Sequence, residues 1–237
     1  MLLEINILCF GYQHRLTWML SSILQQKGEK PDIVISIAYP PDNGNPTTEK
    51  VIEFFRNKGL NIVDLVITKE QATNRAISRN IRAKNTNAEW LLFADCDLVY
   101  DQFFFEDLRK KLESDQFKNE TKVIGADRHS LDDKFCIKYF EEDKTEYPCE
   151  ILNVASITEK WPIKWVKGKE TAAGYHQLIN VKAMREKCGF YSCRENDYLR
   201  NTKSDRRFRI HMGGRVPMDT LKIFHLNHDR NGPDIQR

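Results

Sequence analysis

Apolar residues recur along this chain in two spacings that alternate. Ile5 to Phe10 is a short apolar run, the pattern of a buried strand. Gly11 and Tyr12 turn the chain, and Leu16, Met19, Leu20, Ile23 and Leu24 follow at helical spacing, with Gly28 just beyond them. Asp32 to Ala38 reads as a second strand, closed by the turn-rich "YPPDNGNP". The next helix is predicted over Thr47 to Lys58, capped by Thr47 or Thr48 and ended by Gly59. "NIVDLVI" is a third strand, Ala72 to Lys84 a helix rich in polar groups, and Trp90 to Ala94 a fourth strand. Phe104, Leu108 and Leu112 mark a helix over 102–115, and "KVIGA" is a fifth strand. Strands alternating with helices of this length predict βαβ units with right-handed crossovers and a parallel sheet. In such sheets ligands bind beyond the carboxyl ends of the strands.

The alternation fails after about residue 127. "DRHSLDDKFCIKYFEEDKTEYPCE" reads as loops and short strands, and Trp161, Trp165 and Gly168 fall in an irregular stretch. A short helix is predicted over Val181 to Lys187, closed by Gly189, and another begins near Asn196. "RFRIHM" alternates strictly and reads as a strand, and "TLKIFHLNH" is a last strand ending in two histidines. No repeat, linker or low-complexity tract divides the chain. The simplest organisation is one domain over 1–237, with a regular half over 1–126 and an elaborated half over 127–237.

Composition changes this picture little. The net charge of +3 is too small to argue for nucleic acid, and the basic residues are scattered apart from "KSDRRFR" at 203–209. No apolar run approaches the roughly 18 residues of a membrane helix, and the N-terminus has no basic leader pattern. The six cysteines form no CxxC, so reduced thiols in a cytoplasmic protein are expected.

The chemistry concentrates in "EWLLFADCDLVY", residues 89–100. An apolar strand ends there in Asp95 and Asp97. At the mouth of a strand both carboxylates face one spot and repel, so something positive is expected between them. A hard cation such as Mg²⁺ or Mn²⁺ takes oxygen ligands and leaves positions for phosphate oxygens, which makes a metal diphosphate the expected guest. The plainer alternative is that Asp97 or Asp101 caps the following helix.

"SRNIRAKNTNAEWLLFADCDLVY" resembles the nucleotide-sugar core of family 2 glycosyltransferases with the GT-A fold. There an Arg-Asn pair, here Arg79 and Asn80, precedes an apolar strand that ends in D-x-D. "ILCFGYQHRLTWMLSSILQQ" resembles the family's first strand and helix, and "AGYHQLINVKAMREKCGFYS" at 172–192 its acceptor-side segment. "RENDYL" resembles the acidic motif that supplies the catalytic base, and "FHLNH" the late histidine that completes a metal site. Two departures stand out. Ala38 and Tyr39 occupy the place where the family often has acidic residues that touch the nucleobase. Asn196 precedes Asp197 where the family usually has Glu.

The resemblance implies a Rossmann-like, mostly parallel sheet flanked by helices, with nucleotide sugar in the first half and acceptor in the second. It implies transfer of a sugar from a nucleoside-diphosphate sugar, expected to be a UDP-sugar, to a hydroxyl of a glycan or other acceptor. The nucleotide sugar would meet Phe10, Gly11, Tyr12, Ala38, Tyr39, Arg79, Asn80, Ala94, Asp95, Cys96 and Gly174. Asp95, Asp97, His225 and His228 are the candidate metal ligands; a strand would send the last two to opposite faces, so one of them is expected to bind. Asp197, with Glu195 in reserve, is the expected general base. Single displacement by that base implies inversion. Trp161, Trp165, Tyr175 and His176 are the candidate acceptor contacts. A cytoplasmic protein is expected, free or peripheral at the inner membrane face, within a larger glycan-assembly system. Three alternatives compete. Asp95-Cys96-Asp97-Leu98-Val99 also fits the D-x-D-x-[TV] pattern of haloacid-dehalogenase-like phosphatases, with Asp95 as nucleophile, although that family carries it on its first strand. A nucleotidyltransferase would use the same paired carboxylates but lacks its Gly-rich loop in "FGYQHR". A non-catalytic sugar-binding domain would not need Asp197.

Overall fold

The computed structural model describes residues 1–10, 13–41, 47–131, 149, 151–153, 163–167, 175–188 and 204–226. The first half follows the alternation read from the chain. It runs β1 (Leu2–Leu8), α1 (Gln13–Leu24), β2 (Asp32–Tyr39), α2 (Thr47–Asn57), β3 (Ile62–Val66), α3 (Lys69–Ala72), α4 (Arg75–Asn85), β4 (Trp90–Asp95), β5 (Leu98–Tyr100), α5 (Phe104–Glu113) and β6 (Val123–Leu131). The described remainder adds β7 (Ile163–Lys167), β8 (His176–Asn180), α6 (Val181–Lys187), α7 (Ser204–His211) and β9 (Arg215–His225).

These strands form one sheet in the order β3-β2-β1-β4-β8-β6-β9-β5, with β7 on β6 outside that path. β3, β2, β1 and β4 are mutually parallel, as the βαβ pattern predicts. β8 runs antiparallel to both β4 and β6, so the chain's second half reverses direction where it joins the sheet. Leu8 pairs with Ala38 on one side and Asp95 on the other, which brings the carboxyl ends of β2, β1 and β4 to one line.

The core follows from strand periodicity. Along β4, Trp90, Leu92 and Ala94 join the cluster built with α1, α2 and α5, while Leu91 and Phe93 face α4, α6 and α7. β1 breaks that symmetry: Glu4, buried on the α4 side, accepts two hydrogen bonds from Arg82, at 2.5 and 2.9 Å. This bidentate pair fixes α4 against the strand next to β4.

Four local expectations are corrected. The helix read over 72–84 starts only at Arg75, and a separate short helix, α3, precedes it. Thr68 and Gln71 close a capping box on α3, and Asn74 then caps α4 by accepting from Ala76 N–H. "RFRIHM" is not a strand but the body of α7. Phe208 and Met212, four apart, are both buried while Ile210 is 61% exposed, so helical spacing wins over alternation. The helix stops in a Schellman motif: Gly213 takes φ +85°, Gly213 N–H reaches Ile210 O and Gly214 N–H reaches Arg209 O. Residues 163–167, read as irregular, form β7 on β6. β5 and β8 are short strands without sequence notice. Neither Asp97 nor Asp101 caps α5: its N-cap is Phe103, whose N–H donates to Asp101 at 3.0 Å just before the helix.

Candidate active site

Asp95 is the last residue of β4, and the α4 helix packed beside it places two arginines one turn apart, Arg75 and Arg79. Arg79 is 3% exposed and lies over the Phe93 ring, 5.4 Å from its centre. Its guanidinium donates to Asp95 at 3.2 Å and to Asp205 at 2.9 Å. Arg75, 36% exposed at its side chain, stands 3.4 Å from Asp95 and 3.7 Å from Asp205. Asp205 comes from the first turn of α7, so two cations and two carboxylates from three elements form one cluster. Phe208, one turn on, packs edge-to-face on Phe93 at 6.1 Å and holds α7 there. Burial raises the Asp95 carboxyl above its ordinary pKa. Arg75 and Arg79 oppose the rise, and Asp97 and Asp205 add to it.

Asp97 faces a different partner. Its Oδ2 lies 3.1 Å from His225 Nε2, both side chains being largely buried. The backbone enforces the meeting: Leu98 pairs with His225 in the β5–β9 ladder, and Leu226 N–H donates to Asp97 O at 2.9 Å. The positive groups expected between the two aspartates are thus, for Asp95, a pair of arginines. Asp97 meets an imidazole.

Cys96 between them turns the other way. It packs in the core beside Cys9, and the hydrogen bond between the thiols, then burial, pushes its pKa well up. Its side chain is therefore a neutral core group, and only its backbone faces the strand end. Ala94 and Tyr39 are likewise core residues, and Ala38 packs with Phe10, Ile67 and Ala72 beside the end of β1. Asn80 sits half-buried on α4. Tyr175 O accepts from Asp95 N–H at 3.0 Å, and the Tyr175 ring is buried under the Arg128 guanidinium, 4.6 Å away. His176, 4% exposed, lies between the rings of Tyr100 and Phe104, with centroids 6.2 and 5.9 Å away. Neither ring nitrogen has a hydrogen-bond partner, and burial pushes its pKa down to about 3, so the imidazole is neutral. The backbone of Trp165 pairs with Ser130. Gly11, Tyr12, Trp161, Gly174, Glu195, Asp197 and His228 lie outside the described residues.

Two members of the cluster had no place in the sequence reading, Arg75 and Asp205. The i, i+4 spacing of Arg75 and Arg79 marks a common helix face and was available as a signal. Asp205 stood inside the basic run 203–209, where nothing local distinguishes it.

Among the described residues no group of three or more His, Cys, Asp and Glu side chains is gathered as a closed metal site. Asp97 and His225 do present one carboxylate oxygen and one imidazole nitrogen to the same point. Two such donors fit a cation of the Mn²⁺ or Mg²⁺ kind that takes its remaining ligands from water or a bound diphosphate.

Carboxylates and guanidiniums thus gather beyond the carboxyl ends of the parallel strands, where open α/β sheets bind their ligands. The chain belongs to the family described as "Glycosyl transferase family 2", whose model matches residues 5–131. This membership sets aside the phosphatase and nucleotidyltransferase readings. Similar solved structures are GT-A glycosyltransferases. TarS of S. aureus superposes with a TM-score of 0.64 at 14% identity, over 95% of this chain and 36% of that one. TarS 1–349 in complex with UDP-GlcNAc gives 0.62 at 14% identity, over 98% and 60%. The mannosyltransferase PcManGT from Pyrobaculum calidifontis, in complex with GDP-Man and Mn²⁺, gives 0.58 at 10% identity, over 97% and 58%. At these identities the likeness is one of fold. The chain spans 36% of TarS and 60% or less of the other two. No curated protein matches the chain. Among the described residues no helix is long and apolar enough to cross a membrane.

Proposed function

We propose that this chain carries the catalytic site of a metal-dependent, inverting glycosyltransferase that moves a sugar from a nucleoside-diphosphate sugar to an acceptor hydroxyl. The observation that carries the reading is the 3.1 Å approach of Asp97 and His225 beside Asp95 at the end of β4, in a family 2 fold. Asp97 and His225 would hold Mn²⁺ or Mg²⁺; when bound, the cation neutralises charge on the departing diphosphate. Arg79, fixed by burial and two carboxylates, adds a preorganised positive charge beside the leaving group. Asp95 then sits between that charge and the donor. A uridine donor is favoured by the UDP-GlcNAc held in TarS, although PcManGT holds GDP-Man. With Ala38 and Tyr39 buried, base recognition falls to backbone and to Gly11 and Tyr12.

Asp197 is the proposed base, with Glu195 in reserve. It takes the acceptor's proton as the hydroxyl attacks the anomeric carbon. Trp161 and Trp165 suit the acceptor side, where indoles stack on sugar faces. A glycan acceptor within a larger assembly system, and a site of action at the cytoplasmic face, complete the reading.

The test is calorimetry of UDP binding with and without Mn²⁺. Wild type binds UDP at least tenfold tighter with Mn²⁺, while Asp97→Ala and His225→Ala each lose most of that gain and keep the metal-independent part. Mn²⁺-dependent affinity that survives both substitutions would overturn the metal assignment.

A further inference from the structure

The four charged side chains around Asp95 are not held alike. Arg79 is buried and its contacts, 2.9 Å to Asp205 and 3.2 Å to Asp95, are those of a fixed strut. Arg75 is 36% exposed, and its contacts with the same two carboxylates are 3.4 and 3.7 Å. A well-made charge-assisted bond is shorter, about 2.7–2.9 Å. Arg75 thus meets these two carboxylates at long range, on the exposed side of the cluster. Asp205 is anchored independently of it, through Arg79 and through Phe208 on Phe93. Gln177, fully buried, also donates to the Asp205 backbone carbonyl at 3.5 Å.

Among the described residues, two guanidiniums here meet the carboxylates of Asp95 and Asp205. A diphosphate arriving at the end of β4 brings at least two further negative charges. It offers Arg75 a closer, bidentate partner than either carboxylate does. α4 and α7 are each held by other contacts, so turning the Arg75 side chain toward the diphosphate moves neither helix. We propose that Asp205 is a positioning residue, an internal counter-ion that holds Arg75 in readiness and yields it to the diphosphate of the nucleotide donor. This rests on the donor class proposed above. Asp205 thereby lowers donor affinity while keeping Arg79 aligned on Asp95, so nucleotide product is held less tightly after transfer.

A purely structural carboxylate would, when removed, weaken binding. The proposal expects the opposite sign. In the full chain, calorimetry with UDP and Mn²⁺ should show Asp205→Asn binding about three- to tenfold tighter than wild type, since Arg75 then has one carboxylate fewer to leave when it turns to the anion. Asp205→Glu, which keeps the charge, should stay within about twofold of wild type. Arg75→Gln should bind about tenfold more weakly, and the Arg75→Gln/Asp205→Asn pair should show no gain over Arg75→Gln alone. Equal or weaker UDP binding by Asp205→Asn, in a wild type that does bind UDP, overturns this inference and leaves the proposed function standing. If Asp205→Asn does not fold, undiminished affinity in Arg75→Gln overturns it just as well. A wild type that binds no nucleoside diphosphate removes the proposed function and this inference together.

Discussion

Replacing His176 by Leu should make the protein more stable, and increasingly so in acid. His176 is 4% exposed, its two ring nitrogens have no hydrogen-bond partner, and its pKa is pushed down to about 3 from 6.5. The folded imidazole thus binds its proton only near pH 3, whereas the unfolded one does so near pH 6.5. Between those values acidification favours the unfolded chain, by about 1.4 kcal/mol per pH unit once past the upper value. From pH 7.5 to pH 5 the wild type loses about 2 kcal/mol through this one group. Leucine has nothing to protonate, so its chain keeps that stability. At pH 7.5 the change should lie between neutral and about 2 kcal/mol stabilising: unpartnered buried polar atoms cost about 1–3 kcal/mol, and the altered shape against Tyr100 and Phe104 takes back up to about 1.5 kcal/mol. Urea unfolding of both chains at pH 7.5 and pH 5 measures the difference directly, and other titrating groups cancel between them. A gap that stays constant across that range would refute the reasoning, because it would mean that His176 binds its proton equally in both states.

Two further outcomes bear on the catalytic side and on α7. Asp197→Asn should cut turnover by roughly 10²- to 10⁴-fold, the span of a positioned base, with UDP affinity nearly unchanged; the product's anomeric configuration, read from NMR couplings in wild type, should be opposite to the donor's, and retention would exclude single displacement. Phe208→Ala should cost about 3–5 kcal/mol in urea unfolding, as for a large buried aromatic; a loss below about 1 kcal/mol would mean that α7 does not dock on Phe93.

What could be read from the chain follows from the range of each interaction. The β1–β4 half was legible because each strand and helix declares itself within about ten residues, and regular alternation of the two implies the parallel sheet. Asp95 and Asp97 were legible for the same reason, being marked by the abrupt end of an apolar run. "RFRIHM" misled because Phe208, Ile210 and Met212 satisfy alternation, and only their burial shows that Ile210 points away. β5, three residues long, and β8 carry too few positions to show any period; they are strands because β9 and β4 lie alongside them. The partners of the carboxylates were least visible. Asp205 meets Arg79 across 126 positions, and a single charge within a basic run carries no mark of a partner so distant.

That distance has a consequence for how the molecule comes to exist. β1–β2 and β2–β3 pair through single crossovers and β4 then joins β1, so all four strands can meet while later residues are still being synthesised. His225 and Asp205 arrive last. Until they do, Asp95 and Asp97 stand side by side at a finished strand end with no imidazole opposite. The cations present at that stage are Arg75 and Arg79, delivered by the helix immediately before β4. On that order of assembly, the arginines would be the groups that let two like charges be built next to each other before β9 docks. Refolding followed residue by residue should show the Arg79–Asp95 contact protected early and the Leu98–His225 pairing late, so that the final step of folding is also the step that completes the site.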